Sequence, residues 1–200
     1  AFGSLLLLGG RIGDYMGRKK IFLIGLIGFA AVSALGGIAS NQELLFAARA
    51  LQGVFGALLA PAALAIISVT FTVPAERAKA FGVVGAISGG GAAIGLILGG
   101  ALTEYFSWRW CLGVNVPIAL FAAILAIKYV KESKAEGEHS YDIPGVFTAT
   151  AGLFSLTYGF NEAATKGWSA NSTISFLVAA VVLLVLFVIV EAKVSNPMMP

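Results

Sequence analysis

Six apolar runs, each about as long as a helix must be to cross a bilayer, recur along the 200 residues: 21–39, 44–70, 80–102, 111–130, 143–160 and 172–190. A spanning helix needs about 20 mostly apolar residues. A shorter run, 1–9, reads as the end of a further span. From 174 to 190 the chain is almost uniformly aliphatic, which suits a peripheral helix facing lipid. Composition agrees, with 58% hydrophobic and only 12% charged residues, where a soluble domain carries about 25% charged. The expected fold class is an all-α integral membrane protein. The chain opens inside one apolar run and closes just after another, as an internal piece of a longer polytopic protein would.

Charge is placed as unevenly as apolarity. Arg11, Arg18, Lys19, Lys20, Arg77, Lys79, Lys128, Lys131, Lys134 and Lys193 fall on alternate connections and in the C-terminal tail, while the opposite connections hold only Arg109 and Lys166. By the positive-inside rule the richer set is cytoplasmic, and Trp108, Trp110 and Trp168 then lie at the outer interface, where aromatic belts form. Residues 131–140 read as a solvated cytoplasmic connector. The net charge of +3 does not point to nucleic acid, because the cations sit in short loops between spans. One cysteine, Cys111, and one histidine, His139, exclude an internal disulfide and make a His/Cys metal centre implausible. No cofactor is implied.

The densest cluster is 10–20, GRIGDYMGRKK, read here as a loop between two spans. Gly10, Gly13 and Gly17 permit close backbone approach and a tight reversal. Topology needs only Arg11, Arg18, Lys19 and Lys20, so Asp14 asks for its own reason. It either pairs with Arg18 four residues on, worth about 0–1 kcal/mol if exposed, or meets a helix N-terminus or buried arginine and holds one conformation closed. The neighbouring glycines favour the second reading.

Arg49 is the one charge well inside a span. Placing arginine at a helix centre costs about 2.5–3.5 kcal/mol on insertion scales, and such groups commonly mark substrate or proton pathways. The plainer reading is snorkelling, since Arg49 lies roughly 7 Å from the outer end of its span. Gln52, three residues on, shares a helix face with it, and Gly53 follows. In run 80–102, Gly91, Gly95 and Gly99 recur every four residues, with Gly100 beside them. That spacing puts small residues on one face for close helix packing; Gly89–Gly91 and Gly99–Gly100 also weaken the helix locally. Asn115 and Pro117 suggest a local break with a satisfied amide. Glu162 and Asp142, at opposite ends of run 143–160, read as interfacial rather than buried.

In order and spacing these motifs resemble one family. Gly10-x-Ile12-Gly13-Asp14-x-x-Gly17-Arg18-Lys19 resembles the signature between the second and third helices of the major facilitator superfamily. Leu45-x-x-x-Arg49-x-x-Gln52-Gly53 resembles its fourth-helix motif, and Gly91-x-x-x-Gly95-Leu96-x-x-Gly99-Gly100 its fifth-helix antiporter motif. Trp108-Arg109-Trp110, Asn115-x-Pro117, Asp142-x-x-Gly145 and Gly167-Trp168 are similar to the drug:proton antiporter branch with fourteen spans. Leu96 stands where the antiporter motif usually has proline, Phe55 where the fourth-helix motif has a small residue, and Tyr15 where a basic residue is frequent.

The resemblance implies a partial helix bundle, from the end of the second helix through the eighth. Residues 1–131 would belong to the N-terminal six-helix bundle, 132–142 to a cytoplasmic connector, 143–192 to an inserted helix pair and 193–200 to the next cytoplasmic loop. It implies that Gly10, Asp14, Gly17, Arg18 and Lys19 form a conformational lock, that Arg49 and Gln52 serve proton transfer, and that Gly53, Gly91, Gly95, Gly99 and Gly100 line helix interfaces. The implied activity is proton-coupled export of small amphipathic molecules across the plasma membrane, by rocking two helix bundles around a midplane site. Its partners would be a small-molecule substrate, protons, the lipid bilayer and the remaining helices of the same protein. A transporter of one narrow metabolite, or of opposite direction, is the alternative that Leu96 favours. A membrane enzyme would need paired acids, a nucleophile with its base or a metal cluster, and a non-transporting scaffold leaves Arg49 without a purpose.

Overall fold

The computed structural model describes residues 2–135 and 143–192. They form α1 (Phe2–Met16), α2 (Arg18–Gly37), α3 (Gln42–Thr70), α4 (Pro74–Tyr105), α5 (Arg109–Gly113), α6 (Asn115–Tyr129), α7 (Ile143–Lys166) and α8 (Asn171–Glu191). Among the described residues there is no strand. By length and apolarity five helical segments among the described residues can cross a membrane: α2, α3, α4, α5 with α6, and α8. Run 143–160, expected to be a span, lies in α7. That helix has 24 residues and is long enough, but Thr148, Thr150, Ser155 and Thr157 make it less apolar than the other five. Asp142, His139 and Lys193 lie outside the described residues.

Residues 9–135 with Phe2 form one compact unit, and α7 and α8 with residues 3–8 the other. In the first, α2 is the central member. Leu26 and Ala30 of α2 pack on Ala119 and Ala123 of α6, with Phe22, Leu23, Leu59 and Ala122 around them. Toward α3, helix α2 turns a face of small residues, as 3–4-residue spacing on a helix allows. A Cβ on Gly25 would come within 3.2 Å of Leu59, one on Gly36 within 3.3 Å of Ala48 (and 3.0 Å of Leu112 on α5), and one on Gly28 would overlap the ring of Phe55. The large residue at position 55 is thus matched by an absent side chain at 28.

The stretch 10–20 is not the loop expected. Helix α1 runs on to Met16, α2 starts at Arg18, and only Gly17 breaks them. Gly10 and Gly13 remain helical because their lack of side chain serves packing. A Cβ on Gly9 would run into the Ala57 carbonyl, and those on Gly10 and Gly13 would touch Pro61 and Ala62. Helix α3 passes through Pro61 unbroken. Helix α4 likewise continues through Gly89–Gly91 and Gly99–Gly100, where weakening was expected. A glycine costs about 1 kcal/mol in a helix, whereas backbone groups left unbonded in hydrocarbon cost several each. Between α5 and α6 the chain does not turn aside: Val114 keeps helical angles (φ −63°, ψ −23°) and its N–H still donates to the Trp110 carbonyl at 2.9 Å. The expected local break is not seen there, while the Asn115 amide donates to the Cys111 carbonyl at 3.4 Å.

In the second unit, Gly152 and Gly159 of α7 receive Leu184 and Leu177 of α8, in antiparallel order. Ala149, Ser155, Ala163, Thr173 and Ala180 are buried in the same helix pair. Glu162, expected at an exposed interface, is buried, at 6% relative exposure. Lys166 Nζ at 2.8 Å and the Ser172 hydroxyl at 2.7 Å make that burial tolerable. Lys166, and then Ser172, hold its carboxyl below the usual carboxylate range.

Gly28 and Phe55 are expected to be energetically coupled. Gly28→Ala should lower the thermal unfolding midpoint of the intact protein in detergent, by overpacking worth about 1–3 kcal/mol. In a double-mutant cycle with Phe55→Ala, the two losses should fail to add by about 0.5–3 kcal/mol. Simple additivity would show that the two positions do not share this contact.

Candidate functional site

At Gly17 the backbone turns with φ 111°, a conformation that residues with a Cβ rarely adopt. A Cβ there would also lie 2.8 Å from the carboxylate of Glu132. That carboxylate accepts the backbone N–H groups of Lys19 and Lys20, both at 3.1 Å, and of Ser133 at 3.0 Å. It caps the N-terminus of α2, where helical N–H groups lack partners and negative charge is favoured. Backbone bonds fasten the same segment further: Arg18 N–H donates to the Ser133 carbonyl at 2.9 Å and Ala135 N–H to the Asp14 carbonyl at 3.0 Å. Lys19 Nζ reaches the Ile127 carbonyl near the end of α6 at 2.9 Å. Residues 132–135 of the connector are therefore docked on the motif rather than freely solvated; 136–142 lie outside the described residues.

Asp14 follows the simpler of its two readings. Arg18 donates to its Oδ1 from Nη2 at 2.7 Å and from Nε at 2.9 Å, across the break at Gly17. The Arg18 side chain is 15% exposed and that of Asp14 36%. The helix N-terminus offered to Asp14 in the second reading is taken by Glu132, which lies beyond α6 and 113 residues from Lys19. No local spacing announces such a cap.

The other end of α2 is held by charge of the opposite sign. Arg109 Nη1 donates to the Ala39 carbonyl at 2.6 Å and the Gly37 carbonyl at 3.2 Å, where cations complement the helix dipole. Its guanidinium also lies 4.8 Å from the Trp108 ring centre. The Trp-Arg-Trp sequence thus supplies a helix clamp.

Arg49 and Gln52 are brought together as their spacing suggested. Arg49 Nη1 donates to Gln52 Oε1 at 2.7 Å, and Gln52 Nε2 donates to Ser33 Oγ on α2 at 2.6 Å. Gln52 and Ser33 are 4% and 0% exposed, whereas Arg49 is exposed within this chain. Sequence reasoning missed Ser33, a single hydroxyl in an apolar run. A guanidinium stays charged at any physiological pH. Such a fixed cation can lower the pKa of a carboxyl placed near it.

The glycines are used differently. Gly53 is half-buried on α3. A Cβ on Gly91, Gly95 or Gly100 would meet nothing within 4 Å among the described residues, and one on Gly99 would meet only Cys111 Sγ, at 4.0 Å. Helix α4 has no buried residue among those described, and Leu96 is 80% exposed. A cavity of about 610 Å³ opens beside the far end of α3, lined by Ile66, Thr70, Phe71, Tyr129, Lys131 and Glu132 among others. It does not include Arg49; Thr70 is about 30 Å along the helix from it.

A family model described as Major Facilitator Superfamily matches residues 1–197. The chain is 51% identical over 201 residues to the puromycin resistance protein pur8 of Streptomyces alboniger, covering 100% of this chain and 40% of that protein. It is 38% identical to the cephamycin export protein CmcT of Amycolatopsis lactamdurans, over 100% of this chain and 42% of that one. With the multidrug transporter protein MdtP of Bacillus subtilis it shares 33% identity, over 98% of this chain and 36% of that one. The chain thus spans about two-fifths of the length of these curated relatives.

Removing the α2 cap should be visible locally. In the intact protein, Glu132→Ala should raise amide hydrogen exchange at Lys19 and Lys20 by roughly five- to tenfold, as loss of a cap worth about 1 kcal/mol implies. Glu132→Gln, which keeps an acceptor oxygen, should raise it less. Unchanged exchange in Glu132→Ala would show that the carboxylate does not hold the helix end.

Proposed function

Because the chain belongs to the major facilitator superfamily and is a multi-pass membrane segment, we propose that it forms part of a proton-coupled exporter of small amphipathic molecules in the plasma membrane. The observation that carries the reading is Arg49, a permanent cation in an apolar span, held by Gln52 at 2.7 Å. In this reading Arg49 keeps a carboxyl presented by another helix deprotonated until the site opens to the acidic side. Protonation then weakens that pairing and drives the change of access.

The motif at 10–20 is the lock in this mechanism and faces the cytoplasm. Gly10 lets α1 close on α3, Gly17 makes the break, Asp14 and Arg18 hold the two sides of that break together, and Lys19 ties α2 to the end of α6. Gly91, Gly95, Gly99 and Gly100 offer a bare face to helices of the same protein beyond this chain. Such a face suits a surface that slides or seals during alternating access. The inserted pair, α7 and α8, forms a hairpin packed on itself.

A second reading keeps the mechanism and narrows the substrate to one natural product. Two of the relatives are named for a single compound or class, puromycin and cephamycin, and one for multidrug transport. Leu96, in place of the usual proline, belongs with this reading.

The test uses the intact transporter in inside-out vesicles with an acid interior, with uptake of ethidium and of puromycin followed separately. Gradient-driven accumulation should occur and should fall at least about tenfold in Arg49→Ala, as loss of a charge-assisted contact worth about 1.5–3 kcal/mol implies. Asp14→Asn should slow turnover. Accumulation of puromycin alone would favour the narrow reading. Full gradient-driven transport by Arg49→Ala would overturn the role given to Arg49.

A further inference from the structure

Three side chains on two helices form one directed hydrogen-bond chain, and its inner end has no place in the mechanism above. Arginine can only donate, so the Gln52 atom facing Arg49 must be the carbonyl oxygen. The amide nitrogen is then forced toward α2, where it finds Ser33 Oγ at 2.6 Å. Ser33 is fully buried and Gln52 nearly so. Neither can turn to water for a substitute, and a buried amide without a partner is costly. The approach of α2 and α3 that makes the contact possible depends on Gly28 and Gly36, which flank Ser33 on α2.

We propose that Ser33 is a positioning residue for Arg49. Its hydroxyl accepts from the Gln52 amide, fixes which way that amide points, and so aims the oxygen that holds the guanidinium. Ser33 touches neither substrate nor proton in this role; it sets where the cation stands relative to the group it influences. The functional part of the inference rests on the proposed coupling role of Arg49, whereas the geometric part does not.

The test separates the two. The intact transporter, labelled with ¹⁵N-arginine in bilayers, reports the order of the Arg49 guanidinium, assigned by loss of the signal in Arg49→Lys. In Ser33→Ala the guanidinium should become mobile, and the pH midpoint of gradient-driven ethidium uptake should shift. Ser33→Thr, which restores the hydroxyl, should recover both. Ser33→Cys, close in size but a weak acceptor, should fall between and guards against a packing failure of the threonine. A guanidinium as ordered in Ser33→Ala as in the unaltered protein would overturn the inference. If the guanidinium is released while the pH profile stays fixed, the positioning holds and the coupling role of Arg49 falls. Loss of uptake in every Ser33 variant, with the guanidinium still ordered, would mean that Ser33 acts by packing alone and would also overturn the proposal.

Discussion

Helix α2 is held at both ends by side chains whose charge opposes its dipole. Glu132 accepts at the N-terminus and Arg109 donates at the C-terminus. Each such contact is worth only about 0.3–1 kcal/mol at an exposed helix end. Their importance lies in what they join. Arg109 starts α5 and Glu132 follows α6, so the segment that packs along α2 also grips its two ends. Helices α2, α5 and α6 are thereby fixed in register, and everything hung on α2 inherits that register.

What hangs on α2 is the polar chain. With Gly25, Gly28 and Gly36 free of side chains, α3 can approach until Phe55 and Leu59 lie against helix backbone. At that separation Gln52 reaches Ser33, and Arg49 is tethered to a helix that does not bear it. Placing a cation in an apolar span is costly. The tether adds little to that cost, because it uses one amide and one hydroxyl already buried together. On α4, by contrast, Gly91, Gly95 and Gly100 meet no described neighbour. The first kind of glycine surface fixes a geometry, and the second leaves one open.

The apolar helices and the pairing of Arg49 with Gln52 were legible from apolar run length and 3–4-residue spacing. These signals are local. Run length alone overstated the apolarity of α7, whose threonines and Ser155 lie within it. Glu132 was not legible, because its partners lie 113 residues away and its setting, Lys-Glu-Ser-Lys, looks like any solvated turn. Ser33 escaped for a related reason: one hydroxyl in an apolar helix has no periodicity. The glycines at 25, 28 and 36 were passed over in favour of the denser set at 91–100, since density is visible in sequence and the presence of a partner is not. Gly10 and Gly13 looked like loop residues and proved to be contact residues, because the same missing Cβ serves both ends.

If Arg49, tethered to α2, couples protons to substrate, the two must exchange in opposite directions through the intact transporter. Counterflow measured from the proton side would show this. The transporter is reconstituted in vesicles with no imposed gradient, and internal pH is followed after a pulse of puromycin or ethidium on the cytoplasmic face. Substrate should trigger proton movement opposite to its own, at a fixed ratio, and Arg49→Ala should abolish it. Substrate entry with no proton movement would contradict the coupling.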